Sequence, residues 1–584
     1  MPTLRISLAA AFRRQLPRLA IALAALLLSW RALPDLPPPG WDEAEHLGLP
    51  AVILWEHVRR GELAAAAHAL LGQEQYPPGA SLALLPVLAV AGSDPVAARA
   101  GVVLLFGLLS VLVGAIADHL AGSRETTRAG WIAQGLVLAS PAAVALGRSL
   151  FLEVPFAVLA IAGALLYVKL ERREIEGLPP GRPRRTAVYL LPGFVLAWAC
   201  FTKWSYGALL VAALVLERAA ALWAARAAPR RSLSASAWLL APLGAAALWW
   251  FVWPWPGEPL AVARAHRFAC ASYLAEARAP GVDLEGLALY AGWHHHLSPA
   301  VLCGVIVLAA TAALHRARPG LRFLALLTAL LLGSAMAHPF KLSRLLLPGL
   351  VCLWILAGVG FHAATSGWRA PLKAFGVLAA ALAALLSAGA GLFPPERFGL
   401  APVPEEVLAG WRELYASRRV EASGPEGLPA LAERLASCLP ASRERGLRVT
   451  RTGHELSDAA LAWALFTARR AHDAEARPLA RADYERFDLV RLGAAPPASS
   501  EELAELARDW LAAAGALLLL DPGKGAGHAF RLEDPQFAGP WREAVRAALE
   551  PAGFRLAWQQ PDFAFSRRRD SVALELWIRA SPAE

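Results

Sequence analysis

The sequence predicts an all-α polytopic membrane module followed by a small soluble α/β domain. Of its 584 residues, 57% are hydrophobic, whereas soluble proteins average about 45–50%. The long apolar runs lie almost entirely before Phe393, and many approach the roughly 20 helical residues that cross a bilayer. Beyond that point helical patterns alternate with short strand-like runs, which is typical of a compact α/β domain. We therefore predict a membrane module over residues 1–393 and a soluble domain over 394–584.

The membrane module has about eleven predicted transmembrane helices, with a long loop over residues 34–98 after the first. The predicted spans are Leu16–Leu33, Arg99–Leu120, Ala129–Gly147, Val154–Leu170, Thr186–Phe201, Tyr206–Trp223, Ala237–Trp253, Leu297–Leu314, Leu321–Ala337, Leu345–His362 and Ala374–Leu392. A twelfth apolar run, Gly79–Gly92, is short for a span.

The basic loops decide how the short run is interpreted. If Gly79–Gly92 does not cross, the N-terminal arginines share one side with most other basic loops, as the positive-inside rule requires. We therefore expect this run to lie along the outer interface. The alternative is a short, tilted helix that crosses. With eleven spans, the loop 34–98, the short outer turns and the C-terminal domain all face outward from the inner (plasma) membrane.

The net charge of +10 does not indicate nucleic-acid binding, because the arginines stand in short loops, where they set topology. The five cysteines are scattered without a CxxC pair, so neither a disulfide framework nor a thiolate metal site is predicted.

Acidic residues occur in two of the outward segments. Asp42 and Glu43 follow the first span, and Glu153 stands among apolar residues at the membrane boundary, where an ionisable side chain is costly and suggests function. Such carboxylates suit a general base toward a hydroxyl or amine, or a divalent cation held with water. The structural alternatives are that Asp42 caps the next helix, and that Glu153 pairs with Arg148 or another helix-end cation.

Basic residues also occur in the outward turns, where the positive-inside rule does not explain them. Lys203, Lys341 and Arg344 are suited to bind a phosphate, and Arg99 and Arg148 belong to the same set. The alternative is that they extend to lipid headgroups. Together with the acids, they predict an anionic, lipid-attached substrate such as a polyprenyl-phosphate sugar. The rival classes are a non-enzymatic transporter or cell-envelope scaffold, and a lipid flippase or ligase.

Several short motifs in this order resemble the lipid-carrier-dependent membrane glycosyltransferases of the GT-C fold. The group includes protein O-mannosyltransferases, aminoarabinose transferases of lipid A and rhizobial lipopolysaccharide core transferases. The motifs are Trp41-Asp42-Glu43, Tyr76-Pro77-Pro78-Gly79, Ala97-Ala98-Arg99, Ser140-Pro141, Arg148 to Glu153, Thr202-Lys203 and Lys341 to Arg344.

The resemblance implies a sugar donor on a polyprenyl phosphate and a lipid, glycan or protein acceptor. It implies that Asp42 is the catalytic base, with Glu43 beside it and His46 and Tyr76 lining the substrate. Glu153 stands where the family commonly has Asp, and Tyr76 replaces a Lys that some members use for the phosphate. Phosphate binding is therefore expected to depend on Lys203, Lys341 and Arg344.

Two further motifs favour structural interpretations. His294-His295-His296 cannot all face one metal from a helix, and an interfacial polar collar is the better interpretation. Asp521 to Gly527 lacks the phosphate-loop spacing and is interpreted as a loop. Acceptor binding or a scaffold role is the inference for the C-terminal domain.

Overall fold

The structure is a computed structural model. It describes residues 2–34, 36, 38–39, 43–71, 77–122, 128–175, 186–224, 229–252, 260, 263–264, 299–314, 319–338, 343–365, 427–439, 447–449, 458–473, 476–478, 499–512, 514–522, 543–564 and 571–580.

Helices make up most of the described chain before residue 366. They are α1 (Pro2–Arg31), a π-helical turn (Ala44–Gly48), α2 (Leu49–Arg59), α3 (Leu63–Leu71), α4 (Gly79–Ala91), α5 (Pro95–Leu120), α6 (Arg128–Ala139), α7 (Pro141–Leu146), α8 (Glu153–Ile175), a 3₁₀ turn (Thr186–Tyr189), α9 (Leu190–Cys200), α10 (Trp204–Ala224), α11 (Pro229–Ala247) with a π-helical turn (Leu248–Val252), α12 (Pro299–Leu314), α13 (Pro319–Ala337) and α14 (Ser343–Ala364).

Six helical segments within the described ranges are long and apolar enough to cross a membrane. They are Pro95–Leu120, Glu153–Arg172, Trp204–Trp223, Ser232–Val252, Gly320–Ala337 and Arg344–Ala364. The chain is therefore a multi-pass membrane protein. The predicted span Ala374–Leu392 lies outside the described residues, so the total of eleven stays a prediction. Helix α4 has 13 residues and rises about 20 Å, which is less than the ~30 Å hydrocarbon core.

Two of the predicted spans consist of shorter helical pieces. Ala129–Gly147 is divided between α6 and α7 because Ser140 begins a new helix: its hydroxyl accepts a hydrogen bond from the Ala143 N–H at 3.2 Å, and Pro141 occupies the first turn. Thr186–Phe201 begins with a 3₁₀ turn before α9. Apolar composition predicted the length of each run but not these breaks.

The chain divides into two compact units. The first comprises Met1–Pro34, Ala67–Val87 and Arg99–Arg418, and the second comprises Asp35–Ala66, Leu88–Ala98 and Arg419–Glu584. Parts of the predicted first outer loop thus belong to the same compact unit as the C-terminal region. The domain boundary predicted at residues 393/394 separates these loop segments from the C-terminal region, and it stays a prediction.

Helix α14 lies at the centre of the first unit, where it packs against α6, α8, α12 and α13. Of its membrane-spanning window, 89% is buried inside the protein. Arg18 on α1 is also wholly buried, and it pairs with Asp118 on α5 at 2.5 Å. Asp118 in turn accepts a hydrogen bond from the Gly130 N–H on α6. The N-terminal arginines were predicted only to set topology, but the Arg18 side chain links α1, α5 and, through Asp118, α6.

The second unit contains a four-stranded sheet in the order β1-β2-β4-β3, with β1 and β2 parallel and the other pairs antiparallel. The strands are β1 (Leu447–Val449), β2 (Ala516–Pro522), β3 (Phe554–Ala564) and β4 (Ser571–Arg579). Its described helices after residue 426 are α15 (Leu428–Cys438), α16 (Asp458–Arg470), α17 (Ser500–Ala512) and a short helix over 543–549. Helix α2 and the π-helical turn before it belong to the same unit. Helix α17 packs on the sheet through Leu503, Ala507 and Leu511.

Candidate functional site

The first unit contains a buried acid–base pair formed by two of the predicted site residues. Glu153 is 1% exposed, and its carboxylate accepts a hydrogen bond from the Lys203 ammonium at 2.6 Å. The Lys203 side chain keeps 16% of its surface exposed. The ion pair that was the structural alternative for Glu153 is therefore present, and its partner is Lys203.

Arg344 and two aromatic rings complete this acid–base cluster. The charge of Arg344 acts on the Glu153 carboxylate, while its guanidinium lies 4.6 Å from the centroid of the Phe151 ring. Tyr206 donates a longer hydrogen bond of 3.4 Å to Glu153, and the Lys203 ammonium lies 4.7 Å from the centre of the Tyr206 ring. We call Glu153, Lys203, Tyr206 and Arg344 the cationic cluster, since two positive charges face one negative charge.

Sequence reasoning missed Tyr206. The signal that could have identified it is spacing, because Tyr206 comes three residues after Lys203 at the start of a helix. Residues three apart share a helical face. A phenol on that face, beside a lysine predicted to bind a phosphate, is a candidate hydrogen-bond partner for whatever anionic group the lysine contacts.

Three helix N-termini carry the cationic cluster. Glu153 is the first residue of α8, Lys203 immediately precedes α10, and Arg344 is the second residue of α14. The amide N–H groups at a helix start carry a partial positive charge and favour anions. The helices therefore add to the side-chain cations, and the arrangement is suited to an anionic group such as a phosphate.

The turn before Lys203 is fixed by the start of α4. The Gly79 N–H donates to the Phe201 carbonyl at 2.8 Å, and the Trp198 indole donates to the Gly79 carbonyl at 2.9 Å. A Cβ at Gly79 would lie 2.7 Å from the Phe201 carbonyl oxygen, so this approach requires glycine. The Pro77-Pro78-Gly79 motif thus supports the turn that presents Lys203.

The other predicted phosphate-binding residues are distributed differently. Arg99 and Arg148 both belong to the first unit and are buried, with 3% and 5% of their surface exposed. Their part in binding phosphate stays a prediction. Lys341, Tyr76 and Asp42 lie outside the described residues, so their roles stay predictions.

The described acids of the first outer loop belong to the second unit. Glu43 is fully buried and immediately precedes the π-helical turn Ala44–Gly48, which carries the half-buried Glu45 and His46. The Leu49 N–H donates to the Ala44 carbonyl, which is the five-residue spacing of a π-turn. Such turns occur frequently at functional sites.

Within the described ranges, no three His, Cys, Asp or Glu side chains lie close enough together to hold a metal ion. Asp42 and the triple histidine at 294–296 are outside those ranges. A divalent cation held by the acidic residues therefore stays a prediction from the sequence.

The helical architecture is that of the GT-C class of membrane glycosyltransferases. The crystal structure of ArnT from Cupriavidus metallidurans in the apo state aligns over 95% of this chain and 97% of its own, with 15% sequence identity and a TM-score of 0.52. The structure of the same protein bound to undecaprenyl phosphate aligns over the same shares at 15% identity, with a TM-score of 0.50.

A second relative in structure is the Archaeoglobus fulgidus oligosaccharyltransferase in complex with Zn and sulfate. It aligns over 89% of this chain and 70% of its own, with 11% identity and a TM-score of 0.51. Residues 88–255 also match the family model described as dolichyl-phosphate-mannose-protein mannosyltransferase. That stretch contains Arg99, Arg148, Glu153 and Lys203. No curated protein sequence matches the chain.

Proposed function

We propose that this chain is a membrane glycosyltransferase that moves a sugar from a polyprenyl-phosphate carrier to a lipid, glycan or protein acceptor. The observation that carries the proposal is the cationic cluster, in which Lys203 and Arg344 both act on Glu153 and all three residues stand at helix N-termini. The match to a family model for a lipid-phosphate sugar transferase supports it, as does a fold shared with a protein crystallised with undecaprenyl phosphate.

The cationic cluster is assigned to the donor phosphate. Lys203 and Arg344 bind the phosphate oxygens, Lys203 as a point charge and Arg344 as a fork. Both side chains stay in contact with the phosphate while the bond from the sugar carbon to the carrier oxygen breaks. They therefore stabilise the negative charge that develops on the departing phosphate. Lys341, Arg148 and Arg99 are proposed to supplement them.

Glu153 is assigned to holding Lys203 until the donor arrives. In the structure its carboxylate accepts the lysine hydrogen bond at 2.6 Å, so a phosphate must compete with it. The pair fixes the orientation of a lysine with little exposed surface, while Arg344 supplies a second positive charge.

Acceptor activation is assigned to Asp42, with Glu43 beside it. The acceptor hydroxyl or amine loses its proton to the carboxylate and attacks the anomeric carbon. The bond from that carbon to the phosphate oxygen breaks, and the polyprenyl phosphate leaves with the electron pair. A single displacement inverts the configuration at the sugar. His46 and Tyr76 are proposed to line the substrate.

We place this chemistry on the outer face of an inner (plasma) membrane. The positive-inside rule puts the basic loops on the cytoplasmic side, and such loops follow the C-terminal ends of α8, α10 and α14. The cationic cluster lies at the N-terminal ends of the same helices, which we therefore assign to the outer side. The C-terminal region is then also outward.

Donor binding tests the proposal. We expect Lys203→Ala in the full-length protein to weaken binding of undecaprenyl phosphate by about 10- to 100-fold, since hydrogen bonds to charged groups contribute ~1.5–3 kcal/mol. Titration in nanodiscs measures the Kd. The matched control is Lys169→Ala, which removes an exposed lysine of α8 and should leave the Kd within twofold. Equal affinity in wild type and Lys203→Ala would contradict the assignment.

A further inference from the structure

The segment that carries the first-loop acids is held by one helix of the C-terminal region. Helix α16 (Asp458–Arg470) contacts both the π-helical turn Ala44–Gly48 and helix α2. All of these elements belong to the second compact unit.

One contact is made by Trp463, which is 1% exposed. Its ring packs so closely on Gly48 that a Cβ there would lie 2.2 Å from the indole Cζ3 and 2.7 Å from Cη2. Its indole N–H donates to the Ser93 carbonyl at 3.2 Å. The last residue of the π-helical turn must therefore be glycine for this indole to pack there.

The other contact is made by Arg470, seven residues further along the same face of α16. Arg470 pairs with Glu56 of α2, which is 2% exposed, and donates to the Ser93 hydroxyl at 2.9 Å. That hydroxyl donates to Glu56 at 2.7 Å, and Arg59 donates to Glu56 at 2.9 Å. Burial alone would raise the pKa of Glu56, but the hydrogen bonds from Ser93, Arg470 and Arg59 and the charge of Arg470 hold it below its ordinary 4.5. The ion pair is therefore formed at neutral pH.

Two outer contacts extend the same interaction beyond α16. Arg60 donates to the Ala476 carbonyl at 3.0 Å, and Arg477 pairs with Glu62 at 3.1 Å. The segment 56–62 thus has partners along 470–477. The interaction of Glu56 with Arg470 is specific, because the buried Glu56 carboxylate would be costly without its cationic partners.

From these contacts we infer that α16 is a positioning element for the acidic segment Glu43–His46: Trp463 fixes the π-helical turn through Gly48, and Arg470 fixes the following helix through Glu56. The inference rests on the proposed function and gives the C-terminal region a part in it. It follows that disturbing α16 impairs the transfer step, whereas donor phosphate binding, assigned to residues of the first unit, is retained.

The test measures kcat for sugar transfer and Kd for undecaprenyl phosphate in the full-length protein. Gly48→Ala should lower kcat at least tenfold and leave the Kd within twofold. Adding Trp463→Phe removes the ring atoms that the new methyl group would meet, so the double variant should recover most of the lost kcat. Arg470→Ala should lower kcat similarly, with partial recovery in Arg470→Lys.

The control is Arg546→Ala, which breaks an exposed ion pair with Glu575 elsewhere in the same unit and should change neither constant. Wild-type kcat in both Gly48→Ala and Arg470→Ala would overturn the inference, as would a kcat and Kd that change together. Absence of transfer by the wild-type protein with every donor tested would instead overturn the proposed function, and the inference with it.

Discussion

Glu153 and Lys203 are two predicted site residues that the structure shows to be paired with each other. The sequence predicted one as an acid and the other as a phosphate-binding cation, because each broke a rule of membrane sequences. The 2.6 Å hydrogen bond between them was not predictable, since 50 residues separate them and they are brought together by the packing of α8 against α9, the helix that ends shortly before Lys203. Tyr206 breaks no such rule by itself, since a tyrosine near a membrane boundary is common.

A variant of Glu153 separates two possible roles. If the carboxylate competes with the donor for Lys203, Glu153→Gln should bind undecaprenyl phosphate several-fold more tightly than wild type, because a repulsive charge is removed and Lys203 is released. The same titration that measures Lys203→Ala measures this variant. Weaker binding in Glu153→Gln would instead mean that the carboxylate must be charged to orient Lys203 or to hold a cation for the phosphate.

At the scale of elements, long apolar helices were predictable and special turns were not. Hydropathy identified α5, α8, α10, α13 and α14 within a few residues of their observed limits. It did not identify α16, whose sequence Ala459 to Thr467 is apolar on nearly all sides and shows no helical periodicity. That helix is buried against the first-loop segment, so its apolar face reflects a long-range contact.

The contact between α12 and α14 provides a prediction for the membrane helices. A Cβ at Gly360 would lie 1.8 Å from the Leu308 carbonyl oxygen, whereas one at Gly304 would meet nothing within 4 Å. Since small residues let membrane helices approach closely, Gly360→Ala should lower the free energy of unfolding by about 1–3 kcal/mol.

The control for that prediction is Gly304→Ala, on the exposed face of α12. It should be neutral or raise the free energy of unfolding by up to about 1 kcal/mol, because alanine favours the helix more than glycine does. Thermal unfolding in detergent compares the two variants. Equal destabilisation by both would mean that the α12–α14 packing is not as close as described.

At the scale of the whole molecule, composition alone gave a polytopic module and a later α/β region. The sequence has five strand-like runs after residue 393, at Leu447–Thr450, Phe487–Leu492, Ala516–Leu520, Phe554–Gln559 and Val572–Arg579. Four of them form the four-stranded sheet, and Phe487–Leu492 lies outside the described residues. Composition did not predict which segments form the second unit. That unit combines Asp35–Ala66 and Leu88–Ala98 with the C-terminal region. That membership depends on contacts such as Glu56 with Arg470, which are separated by 414 residues.

The central claim is that this chain transfers sugar from a polyprenyl-phosphate carrier. Purified full-length protein, supplied with a panel of polyprenyl-phosphate sugars and candidate acceptors, tests it through the release of carrier phosphate. We predict acceptor-dependent release by wild type, a decrease of about 10²- to 10⁴-fold in Asp42→Asn through loss of the general base, and wild-type release in Lys169→Ala. Undiminished release in Asp42→Asn would remove Asp42 from the catalytic role, and no release by wild type from any donor would contradict the central claim itself.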